Sequence, residues 1–135
     1  MIEFLQGVLR SKDAVSAVLD VQGVGYHLHI SFPTFEALPA EGESATLLTH
    51  LHVREDAMQL FGFISANERR RFRQLQTISG IGARVALNIL SGISPEELRL
   101  RVGNGDVAAF TRIPGIGKKT AERIVVELRD TFAKE

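Results

Sequence analysis

The sequence predicts an α+β protein in two parts, a small antiparallel β-barrel followed by an all-α part. In the first half apolar and polar residues alternate with the period of a half-buried strand, whereas the second half carries helix start and stop signals. The second half also contains one short motif twice, at a fixed offset. We place the boundary between 64 and 65, which gives two domains, 1–64 and 65–135.

About five short strands are expected in the first domain. The segments with strand patterning are 15–21, 26–30, 46–53 and 57–63. The segment 23–25, Gly-Val-Gly, is predicted to be a tight turn, and 33–39 a short helical or turn connection bounded by prolines. This pattern fits a Greek-key barrel of the OB type, although a small open sheet would produce the same pattern.

Helices are predicted throughout the second domain. Ser65 and Ser94 are each followed three residues later by a glutamate, which is the spacing of a capping box. Pro95 would occupy the first helical position, where proline is favoured. The predicted helices are 66–77, 83–91, 95–102, 106–111 and 118–133.

A Gly-x-Gly loop precedes two of these helices. The segments 78–82 and 113–117 are 35 residues apart, and the alignment that starts with them has six identities over 13 positions. Two copies are too few for a solenoid, so they indicate a duplicated helix–loop–helix pair. Glycine lets successive amide N–H groups point the same way, and a helix N-terminus adds free N–H groups and a partial positive charge. Each loop is therefore predicted to bind a phosphate of a nucleic-acid backbone without reading base sequence.

The residues predicted to bind DNA are the loop glycines and the residues that begin or line the following helices. Cationic side chains there would add charge where the amides already point, although a solvated helix face is the ordinary alternative. The set is Gly80, Gly82, Ala83, Arg84, Gly115, Gly117, Lys118, Lys119, Thr120 and Arg123. The segment 117–120 is not a P-loop, because Arg112 stands where its first glycine is required and Lys118 is followed by Lys119.

Charge is distributed unevenly, although the net charge of the chain is zero. Residues 1–64 contain three Lys/Arg and eight Asp/Glu, a net charge of −5. Residues 65–135 contain 13 Lys/Arg and eight Asp/Glu, a net charge of +5. This asymmetry favours an acidic part beside a nucleic-acid-binding part, although chance scatter of surface charge would look the same.

Several function classes are excluded or disfavoured by composition. The absence of cysteine excludes disulfides, cysteine–zinc sites and iron–sulfur clusters. No apolar run is long enough to span a membrane and the start does not read as a signal peptide, so we expect a cytoplasmic protein. The histidine pairs His27/His29 and His50/His52 each lie on one strand face, where ordinary surface histidines are commoner than metal ligands. We predict no metal, no cofactor and no catalytic residue.

Two adjacent carboxylates, Glu55 and Asp56, lie at the expected tip between two strands. Near DNA they would repel phosphates, by about 1 kcal/mol per pair of unit charges at 4 Å in water. That repulsion is useful only where strands must be kept apart. From the residues alone, a polar turn is the favoured interpretation.

Taken together, the motifs resemble the bacterial RuvA family, the subunits that bind Holliday junctions in a branch-migration complex with the ATPase RuvB. The resemblance covers essentially the whole chain and rests on the segments 1–7, 23–26, 54–57, 60–63, 81–82 and 114–123. It implies an N-terminal OB-fold and a tandem helix-hairpin-helix domain that bind four-way junctions. It also implies that Glu55 and Asp56 form an acidic pin at the crossover and that 79–84 and 114–119 hold the minor-groove side of each arm.

The same resemblance implies partners. These are a homotetramer, or an octamer on DNA, the ATPase RuvB, and the RuvC resolvase as a further candidate. The third domain by which the family contacts RuvB is not in this sequence, so we do not expect this chain alone to bind RuvB. Phe4 and Gln6 stand where relatives are expected to be more basic, which leaves the role of the first strand open.

Other functions use the same motifs. A helix-hairpin-helix DNA glycosylase would suit the second loop, but it needs a catalytic aspartate well downstream, and 18 residues follow Gly117. A generic module that binds DNA backbone in repair also remains open. An OB-fold protein for single strands would need exposed aromatic residues for stacking, and the chain has one Tyr and no Trp.

Overall fold

The computed structural model describes residues 2–135 and divides the chain into two compact units, Met1–Arg69 and Arg70–Glu135. Met1, the first residue of the segment 1–7, lies outside the described residues. The elements of the first unit are β1 (Phe4–Lys12), β2 (Ser16–Val21), β3 (Val24–Ile30), α1 (Phe32–Ala37), β4 (Ser44–Val53) and β5 (Met58–Phe63).

The five strands form a closed barrel in the order β1-β2-β3-β5-β4. Closure follows from β1, which pairs antiparallel with both β2 and β4, while β3 and β5 pair parallel. The α+β class with an N-terminal OB-type barrel is therefore confirmed, and the alternative of an open sheet is wrong. The core of the barrel is made of buried apolar residues from all parts of this unit, among them Leu9, Ala17, Leu19, Leu28, Ile30, Leu38, Ala45 and Leu47.

One turn differs from its prediction. The β2–β3 turn consists of Gln22 and Gly23, with φ angles of 52° and 90°, and Gly25 lies inside β3 opposite Asp20. Two residues with positive φ form the two-residue turn whose twist matches that of a hairpin. The predicted turn at 23–25 is thus wrong in register, because glutamine rarely adopts positive φ and gives no turn signal.

The second unit is all-α. Its helices are α3 (Ala83–Gly92), α4 (Pro95–Gly103), α5 (Val107–Thr111) and α6 (Lys118–Ala133), and α2 (Ala66–Gln76) begins in the first unit and ends in the second. These bounds confirm the five predicted helices to within one residue. None of the helices in residues 2–135 has the length and apolar character that crossing a membrane requires.

The two predicted capping boxes form only in part. Ser65 and Ser94 do accept hydrogen bonds from the N–H groups of Glu68 and Glu97, both at 3.1 Å. The Glu68 carboxylate, however, is buried and accepts hydrogen bonds from the hydroxyls of Ser31 and Thr34 at 2.7 and 2.6 Å. It thereby ties the start of α2 to α1 instead of closing its own helix end.

Candidate nucleic-acid interface

The two Gly-x-Gly loops have nearly identical backbones. Gly80 and Gly115 have φ angles of 92° and 93°, in the left-handed region that favours glycine. Gly82 and Gly117, which precede α3 and α6, have φ/ψ of −91°/−175° and −89°/178°. The sequence repeat is therefore a structural repeat, with the same conformation at each equivalent glycine.

Hydrogen bonds repeat with the same offset. In the first loop the N–H of Ile81 donates to the carbonyl of Ile78, and in the second the N–H of Ile116 donates to that of Ile113, both at 3.1 Å. The two donor residues, Ile81 and Ile116, are buried. Each loop is thus held from below by an apolar anchor, while Gly80, Gly82, Gly115 and Gly117 are exposed.

The helices that follow the loops start without a side-chain cap. Gly82 and Gly117 are the N-cap residues of α3 and α6, and no side chain accepts a hydrogen bond there. The N–H groups of 83–85 and 118–120 consequently have no acceptor within the described chain. By contrast, the other helix starts at α1, α4 and α5 are capped by Ser31, Ser94 and Asp106.

Charge at these two helix starts also departs from what helix stability favours. Neither first turn contains an acidic residue, and α6 begins with Lys118 and Lys119. Two cations at the positive end of a helix each cost about 0.3–1 kcal/mol when exposed. An arrangement that costs folding energy but concentrates N–H groups and positive charge is suited to an anion.

Glycine is required by the fold at only one position in each loop. A Cβ at Gly82 or Gly117 would meet nothing within 4 Å, and neither residue has a positive φ. Side chains would therefore fit at both positions in the free protein. Glycine there leaves open the space in front of the uncapped N–H groups, so that a ligand can approach the backbone closely.

The two helix starts are adjacent. A Cβ at Gly80 would lie 3.7 Å from the Oγ1 of Thr120, and a Cβ at Gly115 would lie 3.4 Å from the Cγ2 of Val85. Val85 and Thr120 are equivalent by the 35-residue offset, so each loop packs on the first turn of the other helix. The Nη1 of Arg123 also donates to the Ser79 carbonyl, at 3.5 Å. The structure thus brings both loops together in one surface.

The predicted site residues contribute to this surface in different ways. Arg84, Lys118 and Lys119 are exposed and form no ion pair with the part of the chain that the structure describes. Ala83 is buried and Thr120 half-buried against the first loop, so these two offer their N–H groups more than their side chains. The motifs did not include Arg112, which is exposed and directly precedes the second loop.

Another group of arginines in the same unit is already paired. Arg70, Arg71 and Arg99 converge on the Glu135 carboxylate at 2.7–3.0 Å. Hydrogen bonds from Arg71 and from Gln74 lower the pKa of Glu135 to about 2. These arginines serve the packing of α2, α4 and the end of α6, in contrast to the unpaired cations beside the loops.

The acidic pair lies in the first unit, at the tip of the β4–β5 hairpin. The N–H of Arg54 donates to the Ala57 carbonyl at 2.7 Å, which closes the four-residue tip. Glu55 and Asp56 are exposed, and neither carboxylate forms an ion pair within residues 2–135. The tip therefore presents two exposed carboxylates that form no ion pair, next to the exposed Arg54.

The histidine pairs form a surface cluster on the outside of the barrel. The rings of His27 and His29 are 5.1 Å apart, and His29 and His52 pack on Phe61 at 5.2 and 6.4 Å. Among residues 2–135 there is no group of three or more His, Cys, Asp or Glu residues that could hold a metal ion. His29 and His52 pack over Phe61, and His27 and His50 pack on them in turn.

Each of the two units is matched by a protein-family model. The family model described as RuvA N terminal domain matches residues 1–62, and the one described as SAM-like Helix-hairpin-helix tandem matches residues 72–130. The chain is 51% identical over 130 residues to the Holliday junction branch migration complex subunit RuvA of Idiomarina loihiensis, covering 96% of this chain and 63% of that protein.

Two further relatives carry the same name. The one from Thioalkalivibrio sulfidiphilus is 54% identical over 130 residues, 96% of this chain and 65% of the relative. The one from Stenotrophomonas maltophilia is 51% identical over 134 residues, 99% of this chain and 68% of the relative. The chain thus spans about two thirds of the length of the curated relatives that it matches.

Proposed function

Because the chain belongs to the RuvA family, we propose that it binds four-way DNA junctions through their phosphates and their shape, without reading base sequence. The observation that carries this proposal is the pair of equivalent, uncapped helix starts behind Gly82 and Gly117, each with three free N–H groups. Helix N-termini of this kind bind phosphate oxygens, and their contacts carry no sequence information.

The spatial arrangement supports two phosphate contacts by one unit. Both loops lie in a single surface because each packs on the first turn of the other helix. Arg84 beside the first loop and Lys118 and Lys119 beside the second add charge to the same surface. We assign to this surface the backbone of one duplex arm, with the hairpins 79–84 and 114–119 on its minor-groove side.

Glu55 and Asp56 act differently in this proposal. Their carboxylates form no ion pair and repel phosphates, by about 1 kcal/mol per pair of unit charges at 4 Å in water and by more where water is excluded. At the crossover of an open junction, this repulsion keeps the strands of neighbouring arms apart. On a continuous duplex the same charges oppose binding, so that they favour the junction.

We infer that assembly requires further copies of the protein and that catalysis is carried out by a partner. We propose that four copies present their loops to the four arms, as a tetramer or as two tetramers around one junction. The chemical step is ATP hydrolysis by the partner RuvB, with RuvC as a further partner, in the bacterial cytoplasm. In that arrangement this chain is a DNA-binding subunit and needs no catalytic residue or cofactor of its own.

The test compares the wild type with the double variant E55Q/D56N on a four-way junction and on a linear duplex with the same arm sequences. We expect the wild type to prefer the junction and the variant to keep binding it while its affinity for the duplex rises. E36Q/E41Q is the matched control, because it removes the same charge from two exposed glutamates of the same unit. An unchanged ratio of junction to duplex affinity in E55Q/D56N would show that the acidic pair is only a polar turn.

A further inference from the structure

The β4–β5 hairpin extends beyond the strands on either side of it. The register of β4 with β1 ends at Leu48, and that of β5 with β3 begins at Leu60. Within residues 2–135, the strand segments 50–53 and 58–59 therefore have only each other's strand as a ladder partner. The hairpin leaves the barrel as a two-stranded ribbon that carries the acidic tip at its end.

One face of this ribbon is apolar and becomes exposed toward the tip. Val53 pairs with Met58, and Leu51 with Leu60, so all four side chains lie on the same face. Leu60 packs against the barrel core, whereas Val53 is 57% exposed and Met58 72% exposed. This face, 51/53/58/60, is a continuation of the core that emerges into solvent directly below Glu55 and Asp56.

The two faces of the ribbon differ in polarity. The opposite face at the same level carries His52 and Gln59, which are polar, as expected for a ribbon in water. Val53 and Met58, at the last rung of the ladder, bury only part of their apolar surface within residues 2–135. The two carboxylates immediately beyond them exclude phosphates from the neighbourhood, but they do not exclude an uncharged ligand.

We propose that the Val53–Met58 pair contacts the faces of the bases at the crossover of the junction. A nucleobase has an apolar face and polar edges, and its exocyclic amino groups can donate hydrogen bonds to carboxylates. Apolar side chains, methionine among them, contact bases in this way when protein inserts at a base step. The ribbon thus presents an apolar surface that can contact the base. The carboxylates at its tip repel the phosphates of the DNA backbone.

This inference rests on the proposed function, since it assumes a junction whose crossover faces the tip. It adds a contact with bases to a binding mode that otherwise uses only phosphates. The contact is with ring faces, which every base has, so it remains independent of sequence. Electrostatic repulsion by Glu55 and Asp56 would then separate the strands, and Val53 and Met58 would hold the bases that become exposed.

The test uses the 135-residue chain and a synthetic junction with 2-aminopurine in place of adenine next to the crossover. Its fluorescence rises when the base loses its stacking neighbours, so it reports on the crossover alone. We expect the wild type to raise this fluorescence and V53T/M58Q to lose most of the rise. Junction affinity should fall about fivefold, the low end of the effect of removing one base-stacking contact. The control V15T changes another valine of the same unit that is 64% exposed, and should leave both signals unchanged.

A photo-crosslinking amino acid at position 58 identifies what covers the ribbon. Crosslinks to crossover nucleotides support the inference, whereas crosslinks to a second copy of the chain, with a smaller assembly for V53T/M58Q in light scattering, would overturn it. A 2-aminopurine signal in V53T/M58Q equal to that of the wild type would also overturn it. Failure of the proposed function can be distinguished from failure of this inference. If the proposed function is wrong, the wild type itself shows no preference for the junction in the same titrations.

Discussion

Replacing Gly82 and Gly117 with aspartate should raise stability and weaken DNA binding at the same time. Both residues already have the extended backbone of an N-cap, and a side chain at either position would meet nothing within 4 Å. The chain itself shows the expected geometry at α5, where the Asp106 carboxylate accepts a hydrogen bond from the Ala109 N–H at 3.2 Å. Aspartate at 82 and 117 would occupy the same N–H groups that we assign to phosphates.

The two effects have different sizes. A side-chain cap in place of glycine contributes a few tenths of a kcal/mol, and a carboxylate at a helix N-terminus adds about 0.3–1 kcal/mol. We therefore expect the free energy of unfolding of the double variant to rise by about 1–2 kcal/mol. Loss of a hydrogen-bonded, charged ligand group costs about 1.5–3 kcal/mol per site, so each substitution should weaken junction binding by roughly 10- to 150-fold.

Urea unfolding gives the stability, and fluorescence anisotropy of a labelled four-way junction gives the affinity. Asn104→Asp is the control for added negative charge in the binding titrations alone, because Asn104 is exposed and lies outside both loops. It is the C-cap of α4, where a carboxylate lowers stability by itself, so stability is compared with the wild type. A double variant that is more stable than the wild type and binds the junction equally well would refute the assignment of phosphates to these N–H groups.

Three further experiments test separate features of the protein. Gly80→Ala and Gly115→Ala should each lower the free energy of unfolding by about 1–2 kcal/mol in urea titrations, because both positions have φ near +92°. The control is Gly103→Ala, at a glycine without positive φ. If the two loop substitutions lower the free energy of unfolding no more than this control does, backbone strain is not the cause. Lys118→Ala with Lys119→Ala should weaken binding equally for arms of different sequence and reduce the slope of log K against log salt by about 2, and an unchanged slope would mean that neither lysine contacts a phosphate. Glu135 has a pKa lowered to about 2 from its usual 4.5 by hydrogen bonds from Arg71 and Gln74, so its contribution to stability is fully present above pH 4.5 and is lost as the pH falls toward 2. The free energy of unfolding, measured in urea across this pH range, should depend less on pH in Glu135→Gln than in the wild type. An equal pH dependence in the two proteins would contradict the assignment.

The helices could be predicted from the sequence because their limits are set by local signals. Ser94 and Pro95 begin α4, and glycines at 82 and 117 precede α3 and α6, so each boundary depends on residues within one turn of it. The β2–β3 turn could not be placed, since Gln22 has no intrinsic preference for positive φ. The bounds of β1 could not be predicted from the sequence either. Gly7 within it is explained only by the barrel, where a Cβ would collide with the Asp20 carbonyl oxygen.

The same distinction applies to the site. The loops, their glycines and their cations were visible in the sequence because the repeat places them at equal positions. The reciprocal packing of Gly80 on Thr120 and of Gly115 on Val85 joins residues 30 to 40 positions apart, which no local pattern reveals. The fate of the Glu68 carboxylate was missed for the same reason, since its partners Ser31 and Thr34 lie on another helix and its N-cap.

Direct competition between a four-way junction and a linear duplex tests whether this chain binds DNA through its phosphates and selects it by shape. The two DNAs share their arm sequences, and the measurement is repeated with every arm sequence changed, near physiological salt. We expect tight binding to the junction, weaker binding to the duplex, and no change in either affinity when the arm sequences change. Equal, salt-sensitive binding to both DNAs would contradict selection by shape, and affinity that changed with the arm sequences would contradict recognition through phosphates.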